Sequence, residues 1–499
     1  MEKQSLWEAT TSRTHYPALG GHLQVDVIVV GAGITGLTTA LLLKQKGVRV
    51  AVIEAHEIGA GASAHSSAHL STLWDEGYTN LIKRSLDVGK AVASSMRHAI
   101  DKIEQIALEL KIPCSFERVP GYLYSDNPSN QGEVEEEIMA AEKLGLPATF
   151  EPHVPLPFPT LKAMKIADQA QFQPSTYLQG LAAEIDRDGN AVFENTRAVD
   201  ISDGTPCRIA TDSGGFITAD WIVLATHTPP GMNLVQTELA PYRSYLVAFA
   251  SQGNLPNALF WDTARPYHYI REFSSANKKW TVVGGKDCKT AHCNESDSFA
   301  ALRLYAEHRF GAAEITYQWS AQMYVPADHL PLVGRSPFTS RTFIATGFSG
   351  DGLPFGTASA AVIADAIMGI PNPLEEVFKP SRVRANGLKK FVSENADAAK
   401  HFVKDRFIAP HYSTVSLLER DQGCVARAGT KLIAAYKDIE GKLHQFNATC
   451  PHLKCVVHWN DDQKTFDCPC HGSRFDTEGK VLEGPAMKGL EPLPSSTEL

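Results

Sequence analysis

The stretch CPHLKCVVHWNDDQKTFDCPCHGS, residues 450–473, gathers four of the nine cysteines and three of the eighteen histidines of a 499-residue chain. Within it, Cys450-x-His452 is followed by Cys468-x-x-His471. Thiolate sulfur and imidazole nitrogen at such spacings form a metal-ligand set, and tetrahedral zinc is one ion it suits. Cys455, Cys470, Ser473 and Gly484-Pro485-Ala486 accompany the two pairs. A zinc knuckle gives Cys455, Ser473 and the Gly-Pro-Ala loop no role.

A second chemistry lies near the other end. In VDVIVVGAGITGLTTALLLKQKGVRVAVIEA, residues 25–55, Gly31, Gly33 and Gly36 keep the G-x-G-x-x-G spacing. Gly31 permits the tight turn, Gly33 lets backbone approach a pyrophosphate, and Gly36 lets helix pack on strand. The helix N-terminus then faces the phosphates. Glu54, eighteen residues after Gly36, can bond ribose hydroxyls. NAD and FAD fit these residues equally. A glycine-rich loop, GFSGDGLPFG at 347–356, reads as backbone brought against a flat ligand.

In the middle, PYHYIREF (266–273) alternates so that Tyr267, Tyr269 and Arg271 share one face, with His268 and Ile270 on the other. Likewise Tyr242, Ser244 and Leu246 oppose Arg243, Tyr245 and Val247. An arginine between tyrosines could grip a carboxylate through its planar fork of donors, or lie on a solvated face. Tyr267, Tyr269 and Arg271 are the candidate substrate face.

The elements that must position these groups are legible in part. Val27–Val30 is an apolar run suited to a strand buried on both faces. LTTALLLKQKG reads as a helix ending near Gly47, and VRVAVIE as a second strand. TFIAT (342–346) is a short buried strand, and TASAAVIADAIMG a small-residue helix that can approach another backbone. LAPYRSYLVAFA (239–250) and KKWTVVGGKD (278–287) read as strands, the latter ended by Gly284 and Gly285. Pro371, Pro373 and Pro380 break the pattern, and an amphipathic helix follows over 386–411. From residue 412 short strands and turns take over.

Net charge −9 and pI near 6.1 argue against a nucleic-acid surface. No stretch reaches eighteen apolar residues, so no transmembrane segment is expected. The first residues lack a signal pattern, which predicts a reducing, cytoplasmic setting. Cys114, Cys207, Cys288, Cys293 and Cys424 then read as inert thiols.

Taken together, residues 20–370 resemble the D-amino-acid-oxidase-like flavoproteins. The motifs are the N-terminal glycines, WIVLAT at 221–226, NAVFENTRAVDI at 190–201, GAGASAHSSAHLS at 59–71, and Ala345-Thr346-Gly347 with Gly350 and Gly352. The resemblance implies FAD, held non-covalently, although His65 and His69 lie where some relatives bond their flavin. It assigns cofactor contacts to Gly31, Gly33, Ile34, Thr35, Gly36, Glu54, Ala55, Ser63, Val199, Ala225, Thr226, Gly347, Gly350, Asp351, Gly352 and Leu353. No second G-x-G-x-x-G occurs between residues 100 and 300, so the expected donor is a small organic substrate and not NAD(P)H.

The C-terminal stretch resembles the Rieske iron–sulfur family. The resemblance implies a [2Fe-2S] cluster held by Cys450 and Cys468 on one iron and His452 and His471 on the other. Imidazoles in place of two thiolates raise the potential. It further implies a Cys455–Cys470 disulfide clamping the loops. High-potential members often carry tyrosine two residues beyond Ser473; here Phe475 stands there, and a lower potential is expected.

The fold expected is a Rossmann-like α/β FAD domain at 1–385, with an antiparallel substrate sheet inserted around 75–185 and 239–325. A helical linker at 386–411 and an all-β Rieske domain at 412–499 complete it. The expected activity is dehydrogenation of a small amine or amino-acid-like substrate. Electrons would leave FAD through the cluster to an external one-electron carrier protein or a quinone. Inward flow through the cluster, as in a reductase, and a redox sensor are the alternatives.

Overall fold

The computed structural model describes residues 2–382 and 415–493, apart from 252, 254, 276, 277, 313, 416, 429 and 430. The helix expected at 386–411 lies outside these residues.

The nucleotide-binding layer is a six-stranded sheet in the order Leu332–Arg335, Thr342–Thr346, Trp221–Leu224, Val27–Val30, Val50–Ile53, Ala191–Phe193. All neighbours are parallel except the first pair. Val27, Ile28 and Val29 are fully buried, as a strand covered on both faces requires. The helix Ile34–Gln45 follows at once, and Gly47 at φ +81° ends it. It packs against the helix Gly352–Met368. That approach needs small residues, because a Cβ at Gly356 would lie 2.6 Å from Thr35 Oγ1. The two glycine motifs, three hundred residues apart, are thereby brought together.

The inserted sheet has nine strands. Its main path runs Tyr317–Pro326, Leu239–Ala250, Lys278–Lys289, His268–Ser275, Leu259–Asp262, Glu117–Ser125, Lys162–Gln171, His69–Leu70. Pairing is antiparallel except between Leu259–Asp262 and Glu117–Ser125. Gly284 and Gly285 do not end their strand, which continues to Lys289. They are needed within it for clearance: a Cβ on Gly284 would collide with the Tyr269 ring, and one on Gly285 with the Tyr267 carbonyl.

The C-terminal unit holds an antiparallel three-stranded sheet, Gln422–Ala428, Lys431–Lys437 and Leu443–Asn447. A second antiparallel sheet joins His458–Asn460, Thr465–Asp467, Arg474–Phe475 and Val481–Glu483. One apolar core includes Phe446, Val457, Phe466 and Phe475. No helix among the described residues is long and apolar enough to cross a membrane.

Two cysteines depart from the sequence reading. Cys288 and Cys293 form a disulfide, their Cα atoms 6.3 Å apart, where inert thiols were expected. The turn at 290–292, just past the end of a strand, brings them together, and no periodic pattern marks it. Cys114 and Cys207 are buried and free, and Cys424 is half-buried and free.

Candidate active site and metal centre

A cavity of about 860 Å³ runs between the nucleotide layer, the inserted sheet and the C-terminal unit. At one end it is lined by Gly31, Gly33, Ile34, Thr35, Glu54, Ala55 and Ser63. Gly31 has φ +102°, and a Cβ there would lie 3.0 Å from the Ala225 carbonyl carbon. A Cβ on Gly36 would run into the Gly31 carbonyl oxygen. No side chain caps the helix at Gly33, and the Ile34 N–H donates to Ser63 Oγ at 3.1 Å. An uncapped helix start with a hydroxyl beside it is ready to take a phosphate. Glu54 accepts from the N–H groups of Ala32 (2.8 Å) and His56 (3.0 Å). Each carboxylate oxygen keeps a lone pair for a ribose hydroxyl.

Ala225, Thr226, Gly350, Asp351, Gly352 and Leu353 also line the cavity. Gly347 stands behind the wall, at φ +75° with Pro326 and Leu239 against it. Ala198 lines the cavity; Val199, whose backbone is expected against the adenine, turns its side chain outward and is 40% exposed. The strand Ala198–Ser202 begins at that point, and its alternation turns the next side chain away.

At the other end Tyr267 and Tyr269 line the cavity with Trp261, Ser244 and His69. The Tyr269 and Ser244 hydroxyls are 2.9 Å apart. Arg271 shares the tyrosines' face but lies further along the strand, 1% exposed. Its Nη1 donates to the carbonyls of Ala68 (2.7 Å) and Ser67 (3.3 Å), and Trp7 covers its guanidinium at 5.1 Å. The carboxylate-gripping role expected for Arg271 is therefore corrected: its Nε and Nη1 donate to backbone carbonyls, and it lies outside the cavity lining. Arg243 lies on the wall instead, paired through Nε with Glu295 at 2.9 Å.

Alternation also fails locally here. Arg243 pairs with Cys288 and Tyr245 with Gly285, so two steps on one strand face three on the other. The extra residue forms a bulge, with Lys286 at φ +58°. Both Arg243 and Ser244 reach the cavity wall.

At the C-terminal unit the Cys450 and Cys468 thiols lie within hydrogen-bonding reach of each other. The His452 and His471 rings meet each other edge to face, centroids 4.9 Å apart. His452 Nε2 lies 3.0 Å from Gln236 Oε1. The Gln236 amide nitrogen donates to Pro229 O and Gly231 O, both at 2.7 Å, which fixes the oxygen toward His452. Nε2 must then carry the proton, leaving Nδ1 as the ligand atom. Nδ1 of His471 is buried without a partner. Burial lowers His452 and pushes His471 down to about 4, so both rings are in the neutral, metal-binding form. Cys455, Cys468 and Cys470 sulfurs also cluster within 4.8 Å, but Cys455 and Cys470 are joined as a disulfide and offer no thiolate.

This unit docks its histidine edge on the cavity wall. The Tyr324 hydroxyl donates to His471 O at 3.1 Å. Gln322 Nε2 donates to Gly472 O at 3.0 Å and to the Tyr324 hydroxyl at 2.9 Å. Tyr324 lines the cavity, as do Glu483, Gly484 and Ala486 from the C-terminal unit. Against burial, which pushes Glu483 up, Arg474 and Arg243 hold it down at about 2. Tyr324, Gln322 and Gln236 were not singled out in the sequence, since nothing local marks them.

Residues 26–366 match the family described as FAD dependent oxidoreductase, and residues 409–494 match the Rieske [2Fe-2S] domain. The chain belongs to the FAD-dependent oxidoreductase family. It carries a C-terminal Rieske domain. YhfW of Bacillus subtilis (strain 168), whose name marks it as a Rieske 2Fe-2S iron-sulfur protein, is 33% identical over 98% of this chain and 97% of its own length. Glycine oxidase from Geobacillus kaustophilus shares the fold at TM-score 0.61 and 18% identity, covering 72% of this chain and 100% of its own. L-proline dehydrogenase from P. horikoshii does so at TM-score 0.60 and 18% identity, covering 73% and 98%.

FAD and a [2Fe-2S] cluster are the cofactors of this oxidoreductase. The observed residues fit both. Gly31, Gly33 and Gly36 leave backbone where any Cβ would intrude on the chain or its cavity. The orphaned His471 Nδ1, the His452 tautomer set by Gln236 and the two free thiols make a two-sulfur, two-nitrogen donor set. Ser473 Oγ accepts from Ala486 N–H at 3.0 Å, closing the Gly-Pro-Ala loop over that set. Phe475 is fully buried and brings no hydroxyl.

Proposed function

We propose that this oxidoreductase dehydrogenates a small amine or amino-acid-like substrate at a CH–NH or CH–NH2 group. Its electrons leave through the Rieske cluster to an external one-electron carrier protein or a quinone. One observation carries this reading: the histidine edge of the Rieske unit is hydrogen-bonded, through Tyr324, to the wall of the cavity that takes the flavin. The names of the fold neighbours, glycine oxidase and L-proline dehydrogenase, support the amine class.

In this reading Gly31, Gly33, Gly36, Ile34, Ser63 and Glu54 hold FAD, with Ala198 and the 347–353 loop. Cys450, Cys468, His452 and His471 hold the cluster. The flavin unit spans 1–385, the linker 386–411 and the Rieske unit 412–499. Bound FAD supplies a two-electron acceptor, for which an amine gives up a hydride equivalent and a nitrogen proton to become an imine, and it can release electrons singly. The cluster supplies a one-electron relay. The chain's own part is placement. Tyr267, Tyr269 and Trp261 wall the substrate end and exclude water. The Ser244–Tyr269 hydrogen bond fixes the Tyr269 ring over Gly284. Oriented binding of this kind is the chain's main contribution to oxidation of an amine by a flavin.

Anaerobic mixing of the holoprotein with a panel of amines and amino acids tests the proposal. Bleaching of flavin absorbance, followed by the reduced-cluster paramagnetic resonance signal, supports it. Reduction by a carrier protein but by no organic donor overturns it in favour of inward flow.

A further inference from the structure

Resting on that reading, we infer that the substrate end of the cavity is an ammonium cage built from tyrosines and the Asp75 carboxylate, backed by that of Asp287 behind Tyr267, so that its substrate is an alkylamine without a carboxylate.

The bulge is the first observation. Along Lys278–Lys289, Val283 packs in the far core with Tyr245 and Ile270, while Val282 packs on the near side with Leu246 and Tyr269. Strict alternation would send Asp287 to the far side with Val283 and Gly285. The extra residue at Lys286 reverses this and turns Asp287 onto the face of Ser244 and Tyr267, whose hydroxyls it meets. Bulges beside active sites re-aim side chains in this way.

Asp75 meets the same Tyr267 hydroxyl from the cavity wall, with Asp287 outside the lining. Asp75 lies against Gly350, where a Cβ would collide with its carboxylate. Tyr267 therefore faces two carboxylates and has one proton to give. Asp351 is 8% exposed and accepts the Asp75 N–H at 3.2 Å. Enclosure and mutual repulsion push Asp75 up to about 7, and enclosure pushes Asp287 up to about 6. A cation placed between them would remove that cost.

Two further residues of the cavity wall carry buried atoms without partners. His69 is 9% exposed, lines the cavity and leaves Nδ1 without a partner, while Nε2 lies 3.4 Å from Ile270 O. Burial, aided by Arg271, pushes His69 down to about 3, so it is an uncharged acceptor. Ser349 Oγ, 8% exposed and also on the wall, has no partner either. His69 packs on Trp261 at 4.9 Å and Tyr269 at 5.7 Å, and Tyr267 and Tyr269 are 5.9 Å apart. Aromatic faces with carboxylates and acceptors recognise an organic ammonium.

Every cation on the wall is already engaged, although Arg243, paired with Glu295, keeps a buried Nη1 without an acceptor. Among the described residues on the cavity wall the cations are Lys3, Arg13, Arg197, Arg243 and Arg474. Arg13 pairs with Glu57, Arg243 with Glu295, and Arg474 with Asp467 and Glu483. Lys3 donates to Asp462 O and Arg197 to Val481 O.

The test titrates n-butylamine or glycine into anaerobic, dithionite-reduced holoprotein by calorimetry, where no turnover occurs. The same two compounds are then mixed with oxidised holoprotein. The amine is expected to bind and glycine not to. Asp287→Asn should weaken amine binding by about tenfold to about a hundredfold, as loss of a charged hydrogen-bond partner does. Asp75→Asn, with flavin content checked by absorbance, serves if Asp287→Asn fails to fold. Amine binding with this sensitivity but no flavin bleaching upholds the cage and overturns amine oxidation. Tighter binding of glycine, or amine binding untouched in both variants, overturns the cage and leaves the dehydrogenase reading standing.

Discussion

Tyr324→Phe tests the docking of the two redox units with minimal change of shape. The ring keeps its edge contact with His227, centroids 4.7 Å apart, so the cavity wall stays packed. What is lost is the donor to His471 O and the acceptor for Gln322 Nε2, at 3.1 and 2.9 Å. Both partners are buried, His471 6% and Gln322 4% exposed. Leaving buried partners unmet costs about 1–3 kcal/mol. Converted at about 1.4 kcal/mol per decade, the docked arrangement should weaken by about 5-fold to about 150-fold. The assay is stopped-flow reduction of holoprotein, reading flavin and cluster separately. Flavin reduction should keep its rate while cluster reduction lags behind it. A paired urea titration should show the lost stability as a lower midpoint with unchanged slope. An unaltered interval between flavin and cluster reduction, in a variant with the lowered midpoint, would refute the claim that this contact couples the centres.

Three further outcomes are expected. Gly36→Ala places a methyl on the Gly31 carbonyl and 3.2 Å from Val29 Cγ1, so the purified protein should lose most of its flavin absorbance while its cluster spectrum persists. Phe475→Tyr restores a hydroxyl beside the cluster loops, and a redox titration should place the cluster higher than in the parent protein, since hydrogen bonds to the sulfurs raise such potentials. Asp75 sits at about 7 in the folded chain against an ordinary 3.8, so it opposes folding increasingly as pH rises through that interval and not below it. Asp75→Asn should therefore raise the melting temperature at about pH 8 and leave it unchanged at about pH 4; an equal gain at both contradicts the assignment.

The features readable in sequence were those whose chemistry is local. Gly31, Gly33 and Gly36 announce a turn whose geometry needs no distant partner, and Cys450-x-His452 with Cys468-x-x-His471 carries its ligand set in two short loops. Alternation placed Tyr267, Tyr269 and Arg271 on one face correctly. It could not say that Arg271 lies beyond the cavity, under Trp7, because distance along a strand is set by what packs there. Nor could it foresee the bulge at Lys286, which brings Asp287 to the tyrosines' side. Nor does the segment around Val199 show in sequence that Ala198 is the side chain on the cavity wall, since a strand's first residue fixes the facing of all that follow. Tyr324, Gln236 and Asp75 gain their roles from partners 147, 216 and 276 residues away. Contacts at that range leave no periodic trace.

The central claim is that one chain takes electrons from an organic amine at its flavin and passes them to its own cluster. Anaerobic single turnover with substoichiometric n-butylamine, read by flavin absorbance and by freeze-quench paramagnetic resonance, tests it directly. Flavin should bleach first, and the reduced-cluster signal should then grow at the rate flavin colour returns. A flavin that stays bleached beside an oxidised cluster, or one that no organic amine bleaches, would contradict it.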